Sequence, residues 1–299
     1  MKDKPEFLLD VVVATHNRAR LLPRTLESLA ALRVPHGVQV HLLVVGNACT
    51  DETPAVVGHF AASAPFPVSY IVEPTAGKSY ALNRGIGAGR GEWIAFFDDD
   101  EVVLPDWIEV FQREERALEF DFVGGLYLPE FETAPPSWLP PRHTTTVIAR
   151  HPEGTPRQRL DQETALMWGG NCAIRRAALE RVGPFEVAWG RGEGMKSLGC
   201  EDIEMQLRLL RAGFNGWFIP ELRIRHWVPA IRLTHKYYRQ RRFWGGHTAR
   251  RFEVAHAQHA RTEAQLFGTP RWKWRAALES SFGFPACARH GLNSGALRL

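Results

Sequence analysis

Hydrophobic and polar positions repeat with two different periods over roughly the first hundred residues. Apolar runs predict strands, and the segments between them have helical spacing, in the order strand 10–15, helix 19–33, strand 38–45, helix 51–62, strand 68–72, helix 79–87 and strand 93–97. Strands that alternate with helices indicate right-handed crossovers and a parallel sheet covered on both faces.

Polar segments follow each of these strands. They lie at 15–18, 46–51, 73–78 and 98–101. In open α/β sheets ligands bind outside the carboxyl ends of the strands, so this edge is the predicted binding site.

The second half of the chain has a less regular pattern. Residues 129–156 are rich in proline and predict a long active-site loop or a surface excursion. Further elements are predicted in the order strand 171–176, a helix ending at Gly183, a glycine-rich mobile loop at 190–199, helix 200–212 and strands WFIP and LRIRHW. Helix 200–212 is predicted to bury one face with Ile203, Leu207 and Leu210, and from about 229 the chain is predicted to be mainly helical.

Composition places the chain among globular proteins. It has 299 residues, 44% of them hydrophobic, which is enough for a large core. No run approaches the roughly 18 to 20 apolar residues of a spanning helix, and the N-terminal segment lacks a long apolar stretch, so a cytoplasmic location is expected. The dispersed cysteines Cys49, Cys172, Cys200 and Cys287 predict free thiols and no structural zinc.

Charge divides the chain into two expected domains. Residues 229–299 carry 13 Lys or Arg and three acids, a balance of +10, which leaves residues 1–228 at −6. The acidic body suits a divalent cation. The basic extension, with Trp244, Trp272 and Trp274, suits anionic phosphates, acidic glycans or the inner face of a membrane.

Three consecutive aspartates, Asp98, Asp99 and Asp100, follow the strand at 93–97. Acids after a strand commonly form turns or cap the next helix, and Asp106 is interpreted in that way. Three adjacent carboxylates repel one another, however, and a hard divalent cation with oxygen ligands offsets that repulsion best. The triplet therefore predicts a Mg²⁺ or Mn²⁺ site beside a diphosphate.

Several segments together resemble family 2 glycosyltransferases of the GT-A fold. They are VVVATHNRARLLPRTLESL, VVGNACTDET, GKSYALNRGI, FFDDDEVVLPDW, WGGNCAIRRAALERVGPF and CEDIEMQLRLLRAGF, and they span residues 10 to about 228. The resemblance implies a three-layer, Rossmann-like α/β fold with a mostly parallel central sheet, here followed by a helical extension. It also implies a metal-dependent, inverting transferase that uses a nucleoside-diphosphate-sugar in polysaccharide or glycoconjugate biosynthesis.

The resemblance implies roles for individual residues. The metal would be held by Asp98, Asp100 and, as in some related enzymes, His226. The nucleotide-binding residues it implies are Thr15, Asn17, Arg18, Asn47, Lys78, Asp98 and Asp99. The chain departs from many relatives at Gly46, where they carry an aspartate that binds the base, so the base remains unassigned.

The resemblance also implies a catalytic base. The pair Glu201 and Asp202 begins a helix, and the base is usually the aspartate. An acceptor hydroxyl must lose its proton as it attacks the anomeric carbon, and a carboxylate opposite the departing diphosphate can take that proton. Helix first turns favour acids whatever the function, so a capping role is the competing interpretation. The resemblance implies a donor-sugar and acceptor pocket at Trp168, Gly169 and Gly170, with a core position as the equal alternative for Trp168.

Other functions fit the sequence less well. A nucleotidyltransferase would carry a glycine-rich phosphate loop after the first strand, and ATHNRARLL has no glycine. A non-catalytic sugar-binding protein has no need of both the aspartate triplet and the Glu201–Asp202 pair. Phosphatases tend to place their aspartates after the first strand, whereas here the triplet follows the fourth. The basic, aromatic segment 237–251 resembles nucleic-acid binders in composition alone, so no nucleic-acid partner is expected. The favoured interpretation of this segment is a solvated helical face that covers the sheet, and contact with a lipid surface or a polyanionic acceptor is the alternative. His256 and His259 are interpreted as a solvated helix face. The expected acceptor is a saccharide, a lipid-linked saccharide or another hydroxyl compound.

Overall fold

The computed structural model describes residues 7–139, 151–152, 154–162, 164, 166–190, 199–256, 265–266 and 269–270. Several sequence predictions lie outside the described residues. They are residues 140–150 and 153 of the loop at 129–156, residues 191–198 of the loop at 190–199, the thiol of Cys287, and the side chains of His259, Trp272 and Trp274. The described cysteines Cys49 and Cys172 are free thiols, as predicted.

The regular first part of the chain forms the predicted alternation of strands and helices. The elements are β1 (Phe7–Thr15), α1 (Leu22–Ala30), β2 (Val38–Asn47), α2 (Thr53–Ala61), β3 (Val68–Glu73), α3 (Lys78–Ala88) and β4 (Trp93–Asp98). Their bounds differ from the predicted ones by a few residues, mostly at helix ends, where the first and last turns lack intrahelical partners.

The second part contains more strands than its sequence pattern predicts. Its elements are β5 (Glu101–Val103), α4 (Trp107–Leu118), β6 (Phe122–Phe131), β7 (Gln158–Arg159), β8 (Asn171–Arg175), α5 (Arg176–Val182), a 3-10 helix (Val187–Trp189), α6 (Glu201–Arg211), β9 (Gly216–Val228), a 3-10 helix (Ala230–Leu233), α7 (His235–Ala255), β10 (Gln265–Leu266) and β11 (Thr269–Pro270). The two predicted strands WFIP and LRIRHW are one strand, β9. On α6, Met205 and Leu209 are the fully buried apolar residues, whereas Ile203 and Leu210 are only half-buried.

One mixed sheet forms the centre of the molecule. Its strand order is β3-β2-β1-β4-β8-β6-β9-β5, with β7 also paired to β9. Neighbours from β3 through β4 are parallel, and β8 is antiparallel to both β4 and β6. The predicted α/β class with helices on both faces is confirmed. Its parallel character is confined to the first strands and to the β6–β9 pair.

Two hydrophobic cores lie on opposite faces of the sheet. Alternate residues of β1 point to different cores, Val11 and Val13 to one and Val12 to the other. Helices α1, α2 and α4 contribute buried residues to the first core, and α3, α5 and α6 to the second. The result is the three-layer architecture that leaves the carboxyl ends of β1, β2 and β4 at one edge.

The chain forms two compact units. Among the described residues, those from 7 to 248 belong to the first unit, and those from 249 onward belong to the second. The division at residue 228 remains a prediction from charge and composition.

No helix among the described residues is both long enough and apolar enough to cross a membrane.

Candidate active site

The loops predicted to bind ligand begin side by side. Sheet register pairs Thr15 with Gly46, Ala14 with Asp98, and Asn47 with Glu73. The first, second and fourth polar segments therefore leave the sheet at one level, beside the start of α3. This arrangement brings the side chains of residues far apart in sequence to a single edge.

Lys78 connects the aspartate triplet to the first turn of α6. Its Nζ lies 2.5 Å from Asp98 Oδ1 and 3.9 Å from Glu201 Oε1. Glu201 is buried, and the Lys78 side chain is about one-fifth exposed, 21%. A cation in this position offsets the repulsion between the two carboxylates, so the sequence-predicted nucleotide and catalytic residues share one cluster.

Backbone amides fix the carboxylate of Asp202. The Gly169 N–H donates to Oδ2 at 2.9 Å, and the Ile203 N–H donates to Oδ1 at 2.8 Å. These two hydrogen bonds orient the carboxylate at the N-terminus of α6. Asp202 is half-buried and lies against the glycine segment predicted to line the sugar pocket.

Gly170 lies where three oxygen atoms converge. A Cβ on this residue would meet Glu101 Oε1, Asp98 Oδ2 and the Tyr127 hydroxyl closer than a real Cβ allows. The Gly170 N–H donates to that hydroxyl at 2.7 Å. Glycine avoids these close contacts where the loop before β8 passes against Asp98 of the triplet.

Asp100 and His226 form a second cluster, on the other side of the triplet. Strands β5 and β9 pair Glu101 with His226, and the Trp227 N–H donates to the Asp100 carbonyl at 2.9 Å. His226 Nε2 thereby lies 3.8 Å from Asp100 Oδ1, and both residues are buried. Arg232 donates to His226 Nε2 at 3.0 Å and to Asp100 Oδ2 at 3.3 Å.

The donor set of this cluster fits a divalent cation. A carboxylate and an imidazole whose Nε2 acts as an acceptor are both suitable ligands for Mn²⁺. Asp98, the third predicted ligand, is instead hydrogen-bonded to Lys78. Within the part of the chain that the structure describes, no group of three or more His, Cys, Asp or Glu side chains is arranged to hold a metal. The protein thus presents a pair of donors rather than a closed site.

Asp99 faces the first polar segment. Burial and the neighbouring charge of Asp100 raise its pKa to about 6, and the Thr15 hydroxyl and Arg18 act in the opposite direction. Arg18 is exposed at this edge. The structure therefore places Thr15 and Arg18 close enough to Asp99 to affect its pKa, and their contact with nucleotide stays a prediction.

Asn17 and Asn47 hold the loops in place. Asn17 has a φ of 52°, and its Oδ1 accepts the Thr50 N–H at 2.8 Å. Asn47 accepts the Gly77 N–H at 2.8 Å and donates to the Thr75 carbonyl at 2.6 Å. These amides contact backbone on neighbouring loops, and their predicted contact with nucleotide stays a prediction.

Tyr70 fills the space beside Gly46. A Cβ on Gly46 would overlap the Tyr70 hydroxyl and ring. Burial raises the pKa of Tyr70, and Cys49 and Asp51, which lie in the segment after Gly46, raise it further. The presence of glycine at position 46, where many relatives have aspartate, therefore has a packing explanation. The phenol of Tyr70 occupies the space into which a side chain at position 46 would project.

Trp168 packs against a histidine that the sequence did not single out. Its ring stacks on His151 with centroids 3.9 Å apart and an interplanar angle of 15°, and it meets Tyr127 edge-on at 5.2 Å. Burial lowers the pKa of His151 to about 3, so this imidazole is neutral near pH 7. The predicted pocket residue Trp168 is half-buried and sits in an aromatic wall.

Comparison with known proteins identifies similar chains. The sequence model described as Glycosyl transferase family 2 matches residues 10–183. The succinoglycan biosynthesis protein ExoM of Rhizobium meliloti is 27% identical over 282 residues, which cover 94% of this chain and 83% of that protein. The glucosyl-dolichyl phosphate glucuronosyltransferase of Haloferax volcanii is 24% identical over 260 residues, covering 84% and 79% of the two chains.

Solved structures with the same fold are more distant in sequence. A mannosyltransferase from Pyrobaculum calidifontis in complex with GDP-Man and Mn²⁺ superposes with a TM-score of 0.55 at 18% identity, covering 93% of this chain and 82% of that chain. S. aureus TarS 1-349 gives a TM-score of 0.54 at 13% identity, covering 74% of this chain and 60% of that chain. The same TarS fragment has been solved with UDP-GlcNAc.

Proposed function

The chain belongs to glycosyltransferase family 2 and is an enzyme of that class, and from this we propose that it moves a sugar from a nucleoside-diphosphate-sugar to an acceptor hydroxyl in polysaccharide or glycoconjugate biosynthesis. The observation that supports this function most strongly is the Lys78 cluster. In this cluster the ammonium group of Lys78 lies between Asp98, on the side proposed to bind the nucleotide-sugar, and Glu201 in the first turn of α6.

We propose that Asp202 is the general base. Its carboxylate is oriented by the N–H groups of Gly169 and Ile203. It would take the proton of the acceptor hydroxyl as that oxygen attacks the anomeric carbon and the bond to the diphosphate breaks. A single displacement of this kind inverts the configuration at that carbon. Glu201, buried beside Lys78, would fix the lysine relative to α6.

Asp100 and His226 would hold the divalent cation, Mn²⁺ or Mg²⁺. When bound, such a cation offsets the negative charge that grows on the leaving diphosphate. Asp98 would join them only after its contact with Lys78 changes. Lys78 would in that case lie next to the diphosphate and add a second positive charge there.

The nucleotide would lie along the edge formed by Thr15, Arg18 and Asp99. Thr15 is buried, whereas Arg18 is exposed and can reach a ligand. The solved relatives that carry GDP-Man or UDP-GlcNAc support a nucleotide-sugar donor without selecting one. Trp168, Gly169 and Gly170 would line the donor-sugar and acceptor pocket.

The names of the relatives suggest two acceptor classes, a growing polysaccharide and a lipid-linked saccharide. We propose a peripheral contact of the basic segment with the inner face of the membrane, which would bring a lipid-linked acceptor to the site.

Replacement of Asp202 by Asn tests the proposed base. Transfer should fall about 10²- to 10⁴-fold, the range for loss of general base catalysis, while nucleotide affinity stays within a few-fold of the wild-type value. Sugar transfer and nucleotide binding would be measured separately. Glu180→Gln removes one charge from the exposed face of α5 and serves as the control. Normal turnover of Asp202→Asn would show that another group removes the proton.

A further inference from the structure

The candidate metal site already contains a cation of the protein itself. The Arg232 guanidinium spans the two predicted metal ligands, with Nη1 3.0 Å from His226 Nε2 and Nη2 3.3 Å from Asp100 Oδ2. The arginine side chain is largely buried, 16% exposed. Because Nη1 donates to Nε2, the lone pair of that nitrogen points at the guanidinium, and the same lone pair would be needed for a metal bond.

We propose that the Arg232 guanidinium and the divalent cation occupy this place in alternation, and that the nucleotide diphosphate drives the exchange. This inference rests on the proposed metal site at Asp100 and His226. It adds a competing internal cation, which makes cation binding conditional on nucleotide.

Charge and space support the competition. Two positive groups cannot share one carboxylate and one imidazole at contact distance, since like charges repel strongly in a largely buried site. A cation entering without nucleotide must break two hydrogen bonds of Arg232 and leave a guanidinium near a second positive charge. A diphosphate removes this penalty, because its oxygens accept from the displaced guanidinium and also complete the coordination of the metal.

The backbone around Arg232 is fixed, so the exchange needs only a side-chain movement. The Arg232 N–H donates to the Pro229 carbonyl at 2.9 Å. The next residue, Leu233, is buried in a small cluster with Leu139 and Val228. An arginine has several rotatable bonds, and its charged end can turn while its backbone stays in place.

The proposal has a thermodynamic consequence. If nucleotide raises the affinity for the cation by some factor, the cation raises the affinity for nucleotide by the same factor. Removing the competing guanidinium should strengthen cation binding to the nucleotide-free protein and thereby reduce that factor. Substitution of a residue that only stabilises the fold would not strengthen cation binding to the nucleotide-free protein and would not reduce the coupling factor.

Binding of Mn²⁺ alone tests the inference. Free Mn²⁺ would be measured by electron paramagnetic resonance at fixed pH, with and without UDP or GDP, for wild type and Arg232→Gln. The nucleotide-free variant should bind Mn²⁺ roughly tenfold to a hundredfold more tightly, the range for loss of a hydrogen bond to a charged group. Arg232→Lys keeps the charge and should stay closer to wild type.

Arg225→Gln is the matched control, because Arg225 is an exposed arginine on the same strand, β9. Its Mn²⁺ affinity should equal that of wild type. The proposed metal site is supported if, with nucleotide present, wild type binds Mn²⁺ and Asp100→Asn does not. The inference is wrong if, in that case, nucleotide-free Arg232→Gln binds Mn²⁺ no more tightly than nucleotide-free Arg225→Gln. The proposed metal site itself fails, and the inference with it, if Asp100→Asn leaves Mn²⁺ binding unchanged in the presence of nucleotide.

Discussion

Glu101 is a buried acid placed directly after the aspartate triplet. Its Oε2 accepts the Asp98 N–H at 2.9 Å, and its Oε1 has no hydrogen-bond partner among the described residues. Burial raises the pKa of Glu101 well above the usual 4.5, and the charges of Asp98 and Asp100 raise it further. The side chain is therefore neutral over a range where an ordinary glutamate is ionised, and it positions Asp98 without adding a fourth negative charge.

Replacement of Glu101 by Gln should change how stability depends on pH. The folded protein holds this proton more tightly than the unfolded chain, so the wild type loses stability as pH rises above about 4.5 toward the raised folded-state pKa. The amide cannot titrate. The melting temperature of the variant relative to wild type should therefore increase as pH rises above about 5, until the pH reaches the raised folded-state pKa of Glu101.

The Glu101→Gln prediction is checked by thermal unfolding across that pH interval, with the exposed Glu180→Gln as control. A difference between Glu101→Gln and wild type that stays constant with pH would mean that Glu101 is ionised in the folded protein.

Some site residues could be found from the sequence and others could not. Asp98, Asp202 and Lys78 lie in polar segments next to predicted elements, where function is expected. His151, Tyr127 and Arg232 carry no local signal, because their roles come from contacts with distant segments. The sequence does contain a signal for Glu101, because this residue follows three acids. A fourth ionised carboxylate at that position would be repelled by the other three, which favours a neutral glutamate.

The two halves of the sheet differ in how far their sequence predicts them. Strands β1, β2 and β4 are mostly buried, whereas β3 at the sheet edge is only partly buried. Regular helices separate all four strands, so periodicity identifies each one. Strand β9 contains Pro220, and its pairing with β6 shifts register between Gly125 and Leu126. A bulge accommodates the proline, which cannot donate to the ladder. The sequence pattern therefore indicated two strands where the structure has one.

The segment before β8 provides a test of packing at the scale of an element. Gly170→Ala places a Cβ too close to side-chain oxygens of Glu101, Asp98 and Tyr127, so either the segment or these side chains must shift. We expect a loss of about 1 to 3 kcal/mol in the free energy of unfolding, typical of overpacking, and a large loss of transfer activity.

Gly169→Ala is the neighbouring control for this substitution. Its Cβ would lie 3.4 Å from Asp202 Cβ, an ordinary contact distance. Urea unfolding of the two variants should therefore differ, with Gly170→Ala clearly less stable. Equal stabilities would indicate that the segment moves freely and that the close approach to the triplet is not a constraint.

At the scale of the whole molecule, charge is distributed unevenly along the chain. Residues 229–299 have a balance of +10, whereas the chain as a whole has +4. Within the first compact unit, α7 presents Arg239, Arg242 and Phe243, which are all exposed and spaced so that they share one face. Phe243 has 67% of its surface accessible. Cationic side chains around an exposed aromatic ring suit an anionic lipid surface.

Vesicle binding tests this surface and, with it, the proposed route to a lipid-linked acceptor. Because each arginine near an anionic membrane contributes about 1 kcal/mol, Arg239→Gln with Arg242→Gln should weaken binding to phosphatidylglycerol vesicles roughly tenfold to thirtyfold. Co-sedimentation at low salt would measure the effect, and raised salt should weaken wild-type binding through screening. The control pair Arg84→Gln with Arg90→Gln removes two exposed arginines from the α3 region and should leave binding unchanged. If both pairs weaken binding equally, the attraction follows from net charge alone, and α7 is not a specific contact surface.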